Sequence, residues 1–222
     1  MLRLVLFVLL SVSGSALAAP VLLWYNGDYD YLNALANERN TANPPAAVYD
    51  NFNVPDPGWL ITRIFSNNVT MQITSPITTA DWEIRSGVTE GDGGTLIASG
   101  TGAPASWTPT GRSLAHFIEY QLAVDGLSVS LPPGQYWLMV RPVGSGVGRS
   151  FLSKTSGANG VNALLDGNHF LTRLDEGHYF SRFFSDTGAD FSMGVYGYVL
   201  PEPTTMGLAA AGLLSLLFRR RR

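Results

Sequence analysis

From residue 48 to residue 200 the chain is broken into short runs of β-branched and aromatic residues, each closed by glycine, proline or a small polar residue. The runs fall at 48–54, 59–65, 69–73, 81–85, 95–99, 116–124, 127–131, 135–141, 169–174 and 191–200. Val, Ile, Tyr, Phe and Trp fit a pleated, half-buried surface, and the closing residues supply turns. Glu90-Gly91-Asp92-Gly93-Gly94 and Leu131-Pro132-Pro133-Gly134 are the strongest of these turns. About ten short strands without long helical periods predict an all-β fold, a β-sandwich of jelly-roll type. In the run 59–65, strict alternation sets Trp59, Ile61, Arg63 and Phe65 on one face and Leu60, Thr62 and Ile64 on the other. One short N-terminal helix is expected over 29–39, where Leu32, Leu35 and Ala36 repeat at i, i+3, i+4 and Asp28 or Asp30 stands ready to cap.

The chain has 222 residues, enough for one domain with a proper core. It contains no cysteine, which removes thiol catalysis, zinc–thiolate sites and iron–sulfur clusters. Of 14 basic residues, Arg3, Arg219, Arg220, Arg221 and Arg222 lie at the ends, leaving 9 against 17 acids and a charge near −8. An acidic body lacks the electrostatic footprint for nucleic acid.

Both ends read as addresses. The start has Arg3, an apolar stretch from Leu4 to Leu10, and Ala16-Leu17-Ala18, the small-x-small pattern that signal peptidase accepts. Cleavage after Ala18 would leave Ala19 first and avoid a bond directly before Pro20. At the other end Pro201, Glu202 and Pro203 stop the preceding element. An uncharged stretch follows, containing Met206, Gly207, Leu208, Leu213, Leu214, Leu216, Leu217 and Phe218, and then Arg219, Arg220, Arg221 and Arg222. Arginines flanking an apolar helix stay on the cytoplasmic side, so the body lies outside. Residues 204–218 would span about 22 Å as a helix, short of the roughly 20 residues of an ordinary membrane span. Such marginal insertion suits a segment that is held briefly and removed.

This order of Pro-Glu-Pro, short apolar helix and terminal arginine cluster resembles the PEP-CTERM sorting signal. The opening NGDYDYLNALANERNT followed by VYDNFNV is similar to the start of many PEP-CTERM proteins of unassigned function. The resemblance implies an exosortase as partner, after signal peptidase, and passage through the inner membrane to the cell surface or extracellular matrix. It also implies bacteria that make exopolysaccharide or biofilm. The chain is thus expected to comprise a signal peptide (1–18), a β-sandwich domain (19–200) and a sorting signal with a transmembrane helix (201–222).

Candidate chemistry within the body is sparse. Asn26, Asp28 and Asp30 place three oxygen side chains at alternate positions, and Asp50 or Glu38 would complete a calcium loop. The glycine and closing acid do not follow the EF-hand order, so a polar turn with a capping residue competes with a Ca2+ site. Among five tryptophans, Trp59, Trp82 and Trp137 lie in apolar strands and are expected in the core. Trp107, in the loop expected over 104–111, is the candidate saccharide contact. His116, His169 and His178 show no catalytic or metal spacing, and Asp81/Glu83 share a strand face without facing a second carboxyl across a cleft. Gly144 to Gly148 lacks the lysine and helix of a phosphate loop. No catalytic residue and no cofactor other than calcium is assigned. The expectation is a non-enzymatic surface or matrix protein associated with extracellular polysaccharide. The alternatives are a secreted polysaccharide hydrolase and a carbohydrate-binding or calcium-stabilised module.

Overall fold

The computed structural model describes residues 19–70, 77–144, 148–182 and 188–202. The signal peptide expected through Ala18, together with Pro203 and the membrane tail expected from Met206 to Arg222, lies outside the described residues. No helix among the described residues is long and apolar enough to cross a membrane.

The strands are β1 (Val21–Tyr25), β2 (Tyr29–Ala36), β3 (Arg39–Asn40), β4 (Ala47–Val54), β5 (Trp59–Thr70), β6 (Thr79–Ser86) and β7 (Thr95–Pro104). They continue with β8 (Ser106–Leu114), β9 (Phe117–Leu131), β10 (Gly134–Gly144), β11 (Ser150–Thr155), β12 (His169–Arg173), β13 (His178–Ser181) and β14 (Met193–Val199). A 3-10 turn, Leu174–Glu176, joins β12 to β13. Among the described residues they form two seven-stranded sheets. In the first, β5 pairs with β14 and then β1 on one side, and with β9 and then β8 on the other. Where β14 ends, β11 takes its place beside β5 and carries β2. The second runs β13-β12-β4-β10-β6-β7, with β3 beside β10.

The sheets face one another across an apolar interior. Trp24, Trp59, Ile61, Ile64, Leu122 and Val195 come from the first sheet, and Phe52, Trp82, Ile84 and Leu138 from the second. Trp24 stacks on Phe52, with ring centroids 4.9 Å apart. Trp59 and Trp82 are core residues as their strand pattern predicted, whereas Trp137 faces the other way. It packs with Tyr49, Met139, Phe170 and Phe180 in a separate cluster on the outside of the second sheet.

The structure changes the expected alternation of β5. A bulge between Ile61 and Arg63, opposite β9, shifts the side-chain phase by one residue. Ile64 therefore joins Trp59 and Ile61 in the interior, and Phe65 moves with Arg63 to the outer face. The runs 116–124 and 127–131 merge into one strand, β9, and 104–111 is strand rather than loop.

The helix expected over 29–39 is not formed, and β2 and β3 occupy its place. The capping signal is real but local: Asp30 Oδ1 accepts the backbone N–H of Leu32 and of Asn33. This closes an Asx turn inside a bulge in which 30–33 stand opposite Lys154 alone. The apolar trio is split, with Leu32 74 % exposed while Leu35 and Ala36 are buried. Asn37 then locks the extended chain, donating to Val140 O and Asn68 Oδ1 and accepting from Val48 N. Ladder bonds to β11 and these buried contacts outweigh a weak helical propensity.

Candidate binding groove

The bulge at Thr62 places a band of polar and aromatic side chains on the outside of the first sheet. Three cross-strand rows can be read from the register. Asp125, Arg63, Tyr196 and Leu22 form one; Ser106, Ala123, Phe65, Gly194 and Tyr25 form the next; Thr108, Gln121 and Asn67 form the third. The middle row is low because Ala123 and Gly194 flank Phe65. A Cβ on Gly194 would lie 2.4 Å from the Phe65 ring, so that ring needs the glycine beside it.

Two hollows follow. The first, about 330 Å³, is lined by Tyr25, Phe65, Asn67, Thr108, Arg112 and Gln121, among others. The second, about 540 Å³, is lined by Pro20, Thr62, Arg63, Asp125, Gly126 and Leu127. Tyr196 lines both. Its ring rests against Phe65 at 5.9 Å and carries the Arg63 guanidinium at 5.7 Å.

The polar groups of the groove are held in place. Arg112 bonds Glu119 through Nε and Asp28 through Nη1 (2.8 Å), and Glu119 also accepts from Thr110. Asp28 further accepts from the Tyr25 hydroxyl (2.6 Å) and from Asn159 Nδ2 (2.7 Å). Asn67 Nδ2 donates to Ser192 Oγ and the Tyr25 hydroxyl. Arg63 donates to Gln121 Oε1 and pairs with Asp125 at 3.4 Å. Burial acts to raise the pKa of Asp28, but the bonds from Tyr25 and Asn159 and the Arg112 charge prevail and hold it below the usual carboxylate value. Burial, helped by the Asp28 hydrogen bond, pushes the Tyr25 hydroxyl well up. Asp28 is therefore a fixed anion and Tyr25 a fixed donor.

The other predicted site residues are placed elsewhere. Trp107 lies on β8 with its ring on the inner side, stacked on Tyr120 at 5.0 Å and packed against the core. The exposed loop expected for it is absent because 106–109 pairs with β9. The four calcium candidates do not converge on one point: Asn26 and Asp50 meet in the interior, apart from Asp28 and Asp30. Asn26 donates to Asp50 Oδ2 and accepts from the Trp24 indole and Leu164 N inside the sandwich. Asp28 belongs to the groove and Asp30 to its exposed turn. Among the described residues no three His, Cys, Asp or Glu side chains are grouped to hold a metal ion. Asp50, wholly buried, is raised well above the ordinary carboxylate pKa by burial and by neighbouring Asp190, against opposing N–H bonds from Phe191 and Asn51. Burial lowers the pKa of His169, which lies edge-on to Phe191 at 5.2 Å. Asp81 and Glu83 are each bound by arginine: Arg39 and Arg141 hold Asp81, and Arg85 holds Glu83.

The groove residues Tyr25, Phe65, Asn67, Arg112, Gln121 and Tyr196 were not singled out in the sequence. Alternation along a strand does show that Gln121, Ala123 and Asp125 share a face. Nothing in one strand shows which residues of the next lie beside them.

The fold and groove thus define an all-β, two-sheet domain that presents a polar and aromatic trough on one outer face. At the chain's end, residues 199–222 match the PEP-CTERM protein-sorting motif. The chain carries the signal of an exosortase substrate, and that signal implies export to the surface or extracellular space. No curated protein and no solved structure matches it. The motif begins at Val199, the last residue of β14, and Pro201 and Glu202 are exposed beyond it. Because β14 ends at Val199, a cut beyond Glu202 removes nothing from the sheet.

Proposed function

We propose that this chain is a non-enzymatic surface or matrix protein, delivered by exosortase sorting, whose outer-face groove binds extracellular polysaccharide. The observation that carries this reading is the union of an end signal for the cell exterior with a trough in which the half-buried Tyr196 ring stands over buried Tyr25 and Phe65 among fixed hydrogen-bonding groups. Rings stack on the apolar faces of sugars, and amide, guanidinium and carboxylate groups meet their hydroxyls. Binding is favoured over hydrolysis by the state of the acids. Asp28 is held as an anion, so it makes a poor general acid. Glu119 is sealed beneath Arg112. The tail serves as a transient inner-membrane helix, and signal peptidase removes 1–18.

Intact-mass analysis of the protein from an exosortase-bearing host and from the same host lacking the enzyme tests the delivery. Loss of residues 1–18 in both, with loss of the tail near Pro201 to Pro203 only with the enzyme, is expected. An intact arginine tail in both would overturn sorting and make the helix a lasting anchor. Retention of the protein by polysaccharide prepared from the same bacterium, with no release of reducing ends, tests the binding half. Steady release of reducing ends would favour the hydrolase.

A further inference from the structure

Resting on the polysaccharide reading, we infer that the groove selects a neutral, linear glycan and reads sugars on both sides of Tyr196, which divides it into two subsites. Three observations lead there.

The first is the geometry. The two hollows share Tyr196 and each falls within the range of about 300–1,000 Å³ typical of small-ligand sites. They lie side by side on one sheet face, so a ligand filling both must be extended. Tyr196 and Arg63 stand in the same cross-strand row, so the divide is held on two strands.

The second is the charge. Both arginines of the groove face carboxylates: Arg112 is bound to Asp28 and Glu119, and Arg63 pairs more loosely with exposed Asp125 at 3.4 Å. Three acids against two arginines leave no cationic excess for a uronate or sulfate. The acidic body adds long-range repulsion of anionic polymers.

The third is the kind of polar group on offer. Half-buried Gln121 meets buried Asn67 across the strand pair, with Gln121 Nε2 3.5 Å from Asn67 Oδ1, a long contact that a ligand hydroxyl at Gln121 can replace. Thr108 lines the same hollow. Such groups both donate and accept, which suits the hydroxyls of an uncharged sugar.

The test uses the full-length protein in a detergent without sugar headgroups. Titration calorimetry compares laminari-, cello- and manno-oligosaccharides of two to six units with oligogalacturonates of equal length. At least one neutral series should tighten by about tenfold or more between two and four units, a gain of about 1.4 kcal/mol. It should change less than about twofold between about 50 and 500 mM NaCl, because no exposed charge pairs form. Oligogalacturonates should bind at least about tenfold more weakly. Tyr196→Ala should abolish the length dependence while Tyr196→Phe keeps it, both melting with a normal cooperative transition. Gln121→Ala should weaken even the shortest neutral ligand.

Preferred, salt-sensitive binding of oligogalacturonate would overturn the neutral assignment and leave the polysaccharide reading standing. Equal affinity for two and four units, or an unaffected Tyr196→Ala, would overturn the two-subsite groove alone. No binding of any of these oligosaccharides, together with no retention by the bacterium's own polysaccharide, would overturn both.

Discussion

Arg112 joins the groove to the stability of the sheet, and removing it tests the account of that face. Glu119 is fully buried, and its carboxylate is bound by Arg112 Nε and Thr110 Oγ1. Its other oxygen, Oε1, is buried without a hydrogen bond among the described residues. Arg112→Ala strips this buried carboxylate of its counter-charge. Breaking one partner from a buried pair costs about 3–5 kcal/mol. Asp28 also loses Arg112, but it keeps Tyr25 and Asn159 and is partly solvated, so it adds little. Glu119→Gln removes the charge yet keeps the shape, at the loss of a charge-assisted bond of about 1.5–3 kcal/mol. The double variant should therefore be more stable than Arg112→Ala, because no buried anion is left alone. The coupling in the cycle should therefore exceed the cost of Glu119→Gln by itself, about 1.5–3 kcal/mol. Urea unfolding followed by tryptophan fluorescence gives all four stabilities. A loss below about 1 kcal/mol for Arg112→Ala, or simple additivity in the double variant, would refute the buried-pair reasoning.

Three further outcomes follow from the structure. A Cβ at Gly197 would lie 2.0 Å from Leu60 O across the β14–β5 pairing, so Gly197→Ala should cost about 1–3 kcal/mol or more in a thermal melt, and an unchanged melt would contradict the register. The Trp107 indole N–H is buried without a partner among the described residues, so Trp107→Phe should stay within about 1 kcal/mol of the parent whereas Trp107→Ala should cost about 3–5 kcal/mol. Asp81 and Asp50 should act with opposite sign in stability measured from pH 3 to 7. Burial raises the Asp81 pKa, but Arg39, Gly102 N–H and Arg141 overcome it; its stabilisation is present above the unfolded value of about 3.9 and lost as pH falls below it, so Asp81→Asn should flatten that acid loss. Asp50 is raised by burial and Asp190, so its contribution is fullest below about 3.9 and declines as pH rises towards its folded value; Asp50→Asn should remove that decline.

The sorting signal was legible in the sequence because it works as a linear string: Pro-Glu-Pro before an apolar run and arginines. The strand class was legible for a similar reason, since β-branched runs and tight turns such as Leu131 to Gly134 are decided by neighbours along the chain. The tertiary structure decided the rest. The capping power of Asp30 and the spacing of Leu32, Leu35 and Ala36 favour a helix locally. Pairing with β11 and the buried bonds of Asn37 override that preference. The bulge beside Thr62 moves Ile64 inward and Phe65 outward, a shift that depends on the partner strand β9. Trp107, which in a loop would have been an exposed ring, is turned inward by the same strand. The groove draws Tyr25, Arg63, Arg112, Gln121 and Tyr196 from five strands, and their order in the sheet is set by long-range hydrogen bonding that no segment of the chain contains by itself.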